Sequence, residues 1–192
     1  ESNGELIIPQ PFFWEGFNLA GDDIMRSIIE RSILPQIYDF AVKRGCSRTQ
    51  AKAVMSDLFG QHTGERFNIK EVRLKNLAVN QLITPIVYAF IEHLTENKAS
   101  DSFKFDDFFY DYPRPSKEVI QQINDKFTRA GATRFNIERM IWQVEVSAVN
   151  DDILKEIGKL LTHISAIIAQ YECDTVLLAG KPTKIPVLKE LM

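Results

Sequence analysis

The residues best suited to ligand chemistry lie near the end of the chain, in the run Gly180–Lys184, GKPTK. The run follows Thr175–Ala179, whose apolar residues predict a buried parallel strand, and precedes Pro186, which predicts the first turn of a helix. Ligands in open α/β sheets bind beyond the carboxyl ends of strands, where a helix N-terminus offers unpaired amides to an anion. Lys181 and Lys184 add positive charge. The run therefore predicts a loop that binds a phosphate or ribose-phosphate group. A turn that only joins strand to helix fits the same spacing.

Other catalytic and metal chemistries have no matching residues in the sequence. Cys46 and Cys173 are too far apart for a CxxC metal site and predict reduced, packed thiols. The histidines stand alone, without the HxxxH or Cys/His spacing that holds a metal, at His62, His93 and His163. The chain also has no GxxxxGK[ST], no GxGxxG and no Asp-x-Gly-rich hairpin to cradle phosphates. We therefore predict no catalytic residue and no metal site within this chain.

Composition narrows the possible partners. The 192 residues are 45% hydrophobic, which is enough to bury an ordinary core, and the formal net charge of -3 gives no basic excess for nucleic acid. The longest uncharged run, Asn76–Ile91, contains Pro85 and is shorter than the roughly 20 apolar residues of a membrane span, so it predicts a buried helix. Because the chain opens on Glu1 without a secretory signal, we expect a fragment of a longer protein.

The first part of the chain predicts a strand followed by a helix. Glu5–Phe17 is apolar and aromatic but interrupted by prolines, as in an edge strand. Gly21 ends it, and Asp22 and Asp23 lie where a helix favours acidic caps. Pro35 should kink this helix, because proline removes a backbone donor. Its apolar face is formed by Ile24, Ile28, Ile29, Ile33, Ile37, Tyr38 and Ala41.

A mainly helical stretch follows, from about residue 45 to residue 134. Its predicted helices are Thr49–Leu58, Ile69–Thr95 and Ser116–Arg129, the last capped by Ser116. Asp101–Pro115, crowded with aromatic and acidic residues, is predicted as a loop. We find no internal repeat. The stretch is interpreted as a helical insert.

The last sixty residues predict a βαβ unit. Met140–Val146 alternates as a strand does, Asn150–Asp151 offers a cap, and Asp151–Tyr171 has apolar residues at helical spacing. Together with Thr175–Ala179 they predict neighbouring parallel strands joined by a crossover helix. The expected fold class is α/β, with a small, mixed, partly parallel sheet flanked by helices. We divide the chain into core residues 1–44, a helical sub-domain at 45–134 and a βαβ return to the core at 135–192.

The segment LLAGKPTKIPVLKEL resembles the adenosine motif of the actin and DnaK-type chaperone superfamily, which is an apolar strand and a glycine turn followed by Thr, a basic residue, Ile and Pro. The matching residues are Gly180, Thr183, Lys184, Ile185 and Pro186. In that superfamily the turn packs its backbone against the nucleoside, and the glycine permits close approach. Two positions depart from the pattern, with Lys181 in place of a second glycine and Pro182 in place of a small hydroxyl residue.

Two further segments take their meaning from this resemblance. Asn18–Ile24 is similar to the part of the superfamily's second lobe where a glycine, here Gly21, and an acidic pair open the helix into the smaller sub-domain. The acidic pair fits helix caps better than catalytic carboxylates. Arg73 and Lys75 lie where that sub-domain places polar and basic side chains on adenine and ribose. The alternative is a solvated face, with Glu71 and Lys75 as an ordinary i,i+4 pair.

The segments AGDDI and AGKPTKIP are most similar to sequences of the SrfB family of large bacterial virulence factors. The resemblance implies lobe II of an actin-like ATPase in a bacterial cytoplasmic protein, with ATP and magnesium as ligands of the parent protein. The implied nucleotide-binding residues are Gly21, Arg73, Lys75, Gly180, Lys181, Thr183 and Lys184. Phosphoryl transfer needs metal-held positioning by the other lobe as well, so the fragment alone should not hydrolyse ATP.

A scaffold is the alternative function. In that interpretation the parent is a pseudo-ATPase that keeps the fold, as Lys181 and Pro182 favour, and holds protein partners with its helical insert. The aromatic loop Phe103–Tyr112 would then be an exposed partner surface. The opposing interpretation folds this loop back on the core of the insert.

Overall fold

The structure is a computed structural model, and it describes residues 21–60, 69–96, 98–172 and 185–190. About 75% of these residues are helical, and the described strands form one two-stranded sheet. The helical elements are α1 (Gly21–Ile28), a first π-turn (Ile29–Ile33), α2 (Leu34–Lys43), α3 (Arg48–Phe59), α4 (Ile69–Ala78), a second π-turn (Val79–Ile83), α5 (Thr84–Thr95), a 3-10 turn (Phe105–Phe109), α6 (Lys117–Arg129), a 3-10 turn (Ile137–Arg139), α7 (Val146–Gln170) and α8 (Pro186–Glu190). The strands are β1 (Asp101–Lys104) and β2 (Ile141–Val144).

Three helices predicted from apolar periodicity are confirmed to within a residue or two. Thr49–Leu58 corresponds to α3, and Ile69–Thr95 to the continuous run of α4, the second π-turn and α5. Ser116 caps α6 as predicted, because its Oγ accepts a hydrogen bond from the Val119 N–H at 3.3 Å. The apolar face of the first helix is also confirmed, with full or nearly full burial of Ile24, Ile28, Ile33, Ile37 and Ala41.

The helix around Pro35 accommodates its proline with a π-turn. The N–H of Leu34 donates to the carbonyl of Ile29, five residues back instead of four, and α2 then continues. Proline has no N–H to give to the preceding turn and its ring crowds that turn, so a wider turn at this point relieves the conflict. A second π-turn accommodates Pro85, since the Thr84 N–H donates to the carbonyl of Val79, also five residues back. The kink predicted at Pro35 thus takes the form of a π-turn.

The sheet differs from the expectation. The predicted strand Met140–Val146 is confirmed as β2, but its partner β1 lies inside the segment predicted as a loop. The two strands are antiparallel, with Phe103 opposite Trp142. The expected parallel partner, Thr175–Ala179, lies outside the described residues. The described sheet is therefore two-stranded and antiparallel, where a partly parallel sheet was predicted.

Helix α7 begins earlier than its predicted cap at Asn150–Asp151. The helix starts at Val146, whose N–H donates to the Oγ of Ser100 at 3.2 Å. Ser100 is 46 residues away in sequence, so this contact at the start of α7 could not be predicted from the neighbouring residues. The predicted end is correct, because α7 closes at Gln170 with Tyr171 as its C-cap.

The two ends of the predicted insert lie side by side. The carbonyl of Arg44 accepts a hydrogen bond from the Thr133 N–H at 2.7 Å. Gly45 and Gly131 have φ angles of +99° and +97°, a left-handed conformation that glycine adopts without strain. A stretch that starts and ends at neighbouring points has the geometry that an insert requires. The sheet crosses the boundary of the predicted insert, because β1 lies within the insert and β2 lies after it.

One helical run in the described part of the chain is long and apolar enough to cross a membrane by length and composition. This run is Ile69–Thr95, of 27 residues, and 50% of its most apolar window is buried inside the protein. It contacts α3 and α6 through α4 and the first π-turn through α5. Core helices meet the same criterion, so these contacts favour the predicted buried helix.

Candidate functional site

The predicted ligand loop Gly180–Lys184 lies outside the described residues, but the elements on its far side are described. Ile185 is completely buried, and α8 begins at Pro186, as the proline predicted. Leu188 is buried as well, and α8 packs against α7. The chain that leaves the loop is therefore anchored in the core from its first described residue.

Gly21 begins α1, in agreement with the prediction that it opens a helix. Asp22 and Asp23 occupy the first turn of that helix, and Asp23 contacts Arg26 with an Oδ1 to Nη1 distance of 3.5 Å. An acidic first turn stabilises a helix through its dipole, which supports their interpretation as caps. Helix α1 packs on α7, so α7 is the common neighbour of the helix after Gly21 and the helix after the predicted loop.

Arg73 and Lys75 both lie on α4 but point in different directions. Two residues along an α-helix correspond to a rotation of roughly 200°. Arg73 is exposed and lines a cavity of about 480 Å³ together with Ile69 and Leu77. Lys75 is half-buried, and its Nζ is removed from solvent. A single ligand on one face of α4 therefore meets Arg73 and not Lys75.

The environment of Lys75 is unusual for a lysine. Its Nζ makes no hydrogen bond in the described part of the chain, so the alternative i,i+4 pair with Glu71 does not form there. Burial lowers the pKa of Lys75, and the charge of Asp57 on α3 partly opposes that change. Asp57 also contacts Lys126 of α6, with an Oδ2 to Nζ distance of 3.6 Å. The carboxylate of Asp57 thus interacts electrostatically with two lysines, Lys75 of α4 and Lys126 of α6.

Replacing Lys75 with methionine is expected to raise the free energy of unfolding by about 1 kcal/mol, because it removes a buried ammonium without a hydrogen bond and keeps the chain length. The lowered pKa adds a pH signature. The unfolded chain binds more protons between the lowered pKa and the ordinary value of 10.5, so wild-type stability should rise with pH across that window. Urea unfolding at pH 7 and pH 10 measures both effects.

Lys52→Met is the matched control for this substitution, because Lys52 is exposed on α3. Its stability change should stay within about 0.5 kcal/mol at either pH. A large loss of stability in Lys75→Met would show that the ammonium makes a favourable contact, and would contradict the prediction.

The aromatic segment Phe103–Tyr112 folds back on the core. Phe105, Phe108 and Phe109 are buried in the 3-10 turn after β1. Phe103 packs edge-on against the buried His93, with ring centroids 5.3 Å apart. Tyr110 remains outside and is 92% exposed, and Tyr112 is exposed to 36%. The phenylalanines of this segment are therefore mainly core, and the surface it offers to a partner is two tyrosines beside acidic side chains.

The predicted structural roles of Cys46 and His93 agree with their surroundings. Cys46 is buried, its Sγ donates to the carbonyl of Ala130 at 3.1 Å, and burial raises the pKa of its thiol. His93 is buried with its Nε2 2.7 Å from the carbonyl of Ala99. Within residues 21–60, 69–96, 98–172 and 185–190, no group of His, Cys, Asp or Glu side chains has the arrangement of a metal site.

A groove that the sequence did not indicate lies between α2, β2 and the start of α7. We call this cavity of about 420 Å³ the Pro35 groove; it is lined by Pro35, Asp39, Phe40, Ile141, Gln143 and Glu145 among others. Its floor includes the outer edge of β2, where the side-chain amide of Gln36 behaves like a neighbouring strand. Gln36 Oε1 accepts from the Gln143 N–H at 2.7 Å, and Gln36 Nε2 donates to the Gln143 carbonyl at 2.9 Å. The two residues are 107 positions apart, so sequence patterns could not reveal this contact.

Comparison with known proteins gives one match. The model of the family described as virulence factor SrfB matches residues 1–192, which is the whole chain. No curated protein and no solved structure gives a significant match.

Proposed function

The chain belongs to the SrfB family of virulence factors, and from that premise we propose that it forms one wall of an ATP-binding cleft in a protein of the actin-like ATPase superfamily. The ligand would be ATP with magnesium. In this proposal Gly180 and Thr183 present backbone to the nucleoside, while Lys181 and Lys184 lie near its phosphates. Gly21 and Arg73 would contribute from the helices before and within the insert.

The observation that carries the proposal is the anchoring of the chain just after the loop. Ile185 is completely buried and Pro186 begins a helix that docks on α7. The same two residues close the segment, with Gly180 and Thr183, that resembles the adenosine motif of the superfamily. Anchoring at Ile185 fixes the point at which the chain leaves the proposed loop, and such pre-organisation lowers the entropy cost of ligand binding.

Lys75 is the weakest member of the proposed site. Its Nζ is removed from solvent, and Lys75 does not line the cavity on α4 that Arg73 lines. We therefore propose Arg73 as the residue of α4 that stacks on a base, since a planar guanidinium can do this and a buried ammonium cannot.

The chain on its own is expected to bind ATP weakly and to show no turnover. Phosphoryl transfer depends on positioned phosphates and metal, and the sequence has no GxxxxGK[ST], no GxGxxG and no Asp-x-Gly-rich hairpin. Titration with a fluorescent ATP analogue and an assay of released phosphate measure binding and turnover, in the chain alone and in the longest form of the protein. Magnesium-dependent hydrolysis by the chain alone would show that its catalytic groups lie elsewhere than proposed. Failure of the longest form of the protein to bind ATP would contradict the proposal.

A pseudo-ATPase scaffold is the second candidate. Lys181 and Pro182 favour it, because they stand where the superfamily pattern has a glycine and a small hydroxyl residue. The buried state of Phe105, Phe108 and Phe109 reduces the part that the aromatic segment can play in holding partners. A scaffold would need another surface.

A further inference from the structure

Two segments of the chain carry basic residues and no acidic ones. Residues 40–56 contain no aspartate or glutamate, and neither do residues 126–137. The first segment runs from the end of α2 into α3, and the second runs from the end of α6 to the 3-10 turn before β2. Their basic residues are Lys43, Arg44, Arg48, Lys52, Lys126, Arg129 and Arg134. Positive charge is thus concentrated in a small part of a chain whose formal net charge is -3.

The backbones of the two segments are in direct contact. The carbonyl of Arg44 accepts a hydrogen bond from the Thr133 N–H at 2.7 Å, and Cys46 Sγ donates to the Ala130 carbonyl at 3.1 Å. Four arginines take part in these contacts or lie within two residues of them, and we call them the arginine patch: Arg44, Arg48, Arg129 and Arg134. The two segments therefore bring their arginines to one region of the surface.

The charge of the arginine patch is not neutralised by the described part of the chain. All four arginines are exposed, and none of them forms an ion pair there. Lys126 differs from them, because it contacts Asp57. The guanidinium of Arg44 lies over the ring of Phe40, 4.9 Å from the centroid, and this contact orients it. The patch is therefore available to an anionic partner.

Helix stability accounts for only two of the four arginines. Arg44 is the C-cap of α2 and Arg129 ends α6, where the helix dipole favours a cation. Arg48 is the first residue of α3, where the same dipole disfavours one. Arg134 has a φ angle of +53°, a left-handed conformation that costs energy for a residue with a side chain. Two arginines at unfavourable positions indicate a role other than stabilising the fold.

The surroundings of the patch favour carboxylates of a protein over a longer polyanion. Guanidinium groups pair with carboxylates through two parallel hydrogen bonds. The exposed large hydrophobic side chains of the described residues lie outside both segments, so the patch has no platform for bases and no apolar anchor for lipid. Without the seven basic residues of these segments, the chain has 16 basic residues against 26 acidic ones. A nucleic acid or membrane that extends beyond the patch would meet this negative excess.

We propose that the arginine patch binds an acidic segment of a partner protein, whose aspartate or glutamate carboxylates pair with the four guanidinium groups. The proposal is independent of nucleotide binding, because none of the four arginines belongs to the proposed ATP site. It would also give the alternative function, a scaffold, the surface that the buried phenylalanines do not provide.

The test adds a fluorescein-labelled deca-glutamate peptide to the whole chain and follows fluorescence anisotropy. Saturable binding is expected, at least fivefold weaker at high salt because salt screens exposed charges. A deca-glutamine peptide should not bind. Single-stranded oligothymidine and phosphatidylserine vesicles represent the other polyanions and should bind at least tenfold more weakly than the peptide.

Two substitutions separate partner binding from a structural role. Arg48→Glu and Arg134→Gly should each weaken peptide binding at least fivefold. Both should keep or raise the urea midpoint of unfolding, because an acidic residue suits the first turn of a helix and glycine suits a left-handed backbone. Arg134→Lys keeps the charge without the guanidinium and should retain part of the affinity.

Lys117→Gln is the matched control. Lys117 is exposed at the start of α6, roughly 18 Å along the helix from Arg129. The change removes one positive charge outside the patch and should leave the affinity for deca-glutamate within twofold.

Three results would overturn the proposal. The first is an absence of saturable peptide binding, or binding that Arg48→Glu and Arg134→Gly both leave unchanged. The second is tighter binding of oligothymidine or of the vesicles than of the peptide, which would make nucleic acid or lipid the partner. The third is self-association that rises with protein concentration in light scattering and is weakened by Arg48→Glu, which would make a second copy the occupant. Circular dichroism of each variant verifies its fold.

Discussion

Replacing Trp142 with alanine is expected to lower the free energy of unfolding by about 3–5 kcal/mol. Trp142 is completely buried on the inner face of β2, and Phe108 meets its ring edge-on with centroids 5.8 Å apart. The side chain joins β2, which follows the insert, to the 3-10 turn inside the insert. Its loss would leave a cavity at the contact between the two parts of the chain. Urea unfolding followed by far-UV circular dichroism measures the change.

Trp142→Phe separates the two contributions of the indole. Nε1 of Trp142 is buried without a hydrogen-bond partner in the described part of the chain. An unsatisfied buried donor costs about 1–3 kcal/mol, so phenylalanine removes a penalty as well as some packing. We expect this variant to lose roughly half as much stability as alanine, or less.

The neighbouring residue in the strand provides the control. Ile141 is 52% exposed, and Ile141→Ala should change the free energy of unfolding by about 0.5 kcal/mol or less. If Trp142→Ala and Ile141→Ala had equal effects, the indole would not be the core contact described here, and the pairing of Phe103 with Trp142 would be in question.

The parts of the fold that could be predicted from the sequence are those in which local signals are sufficient. Ser116 lies directly before an apolar period of helical spacing, and α6 begins after it. Ile69–Thr95 has apolar residues at helical spacing, and the helix runs its whole length. Pro186 marks the start of α8 because proline suits the first turn. In each case the residues that specify the element lie within it.

The parts that could not be predicted depend on partners distant in sequence. Strand β1 has only four residues among aromatic and acidic neighbours, and its pairing with β2 across about forty residues decides that it is a strand. The N–H of Val146 at the start of α7 donates to Ser100, and Gln36 occupies the edge of β2 at Gln143. Local propensity carries no information on such contacts.

The candidate site also has parts that the sequence could predict and parts that it could not. The pattern at Gly180–Pro186 could be found because its residues are contiguous, and the described end of it, from Ile185, agrees with the predicted helix. The superfamily resemblance implied Arg73 and Lys75 together, yet their spacing of two positions places them on different faces of α4. Proximity in sequence is therefore a poor guide to which side chains share a face of a helix.

Replacing Gly180 with valine is expected to weaken ATP binding by the longest form of the protein at least tenfold, or roughly 1.4 kcal/mol. In the proposed site the chain at Gly180 approaches the nucleoside closely, and a β-branched side chain would occupy that space. Lys184→Ala should have a smaller effect, about two- to threefold, that shrinks as salt screens its charge. Titration with a fluorescent ATP analogue at two salt concentrations measures both variants.

Gly158→Val is the matched control for the glycine substitution. Gly158 lies on α7, the helix against which α8 packs, and an added Cβ there meets nothing within 4 Å. The same change at Gly158 should therefore leave both ATP affinity and stability nearly unaltered, whereas at Gly180 it should reduce affinity with the fold retained. Because both variants replace a glycine with valine, a difference between them isolates the proposed close approach of the loop to its ligand. An unchanged affinity in folded Gly180→Val would exclude this loop from the nucleotide site and leave the scaffold as the better explanation of the family's fold.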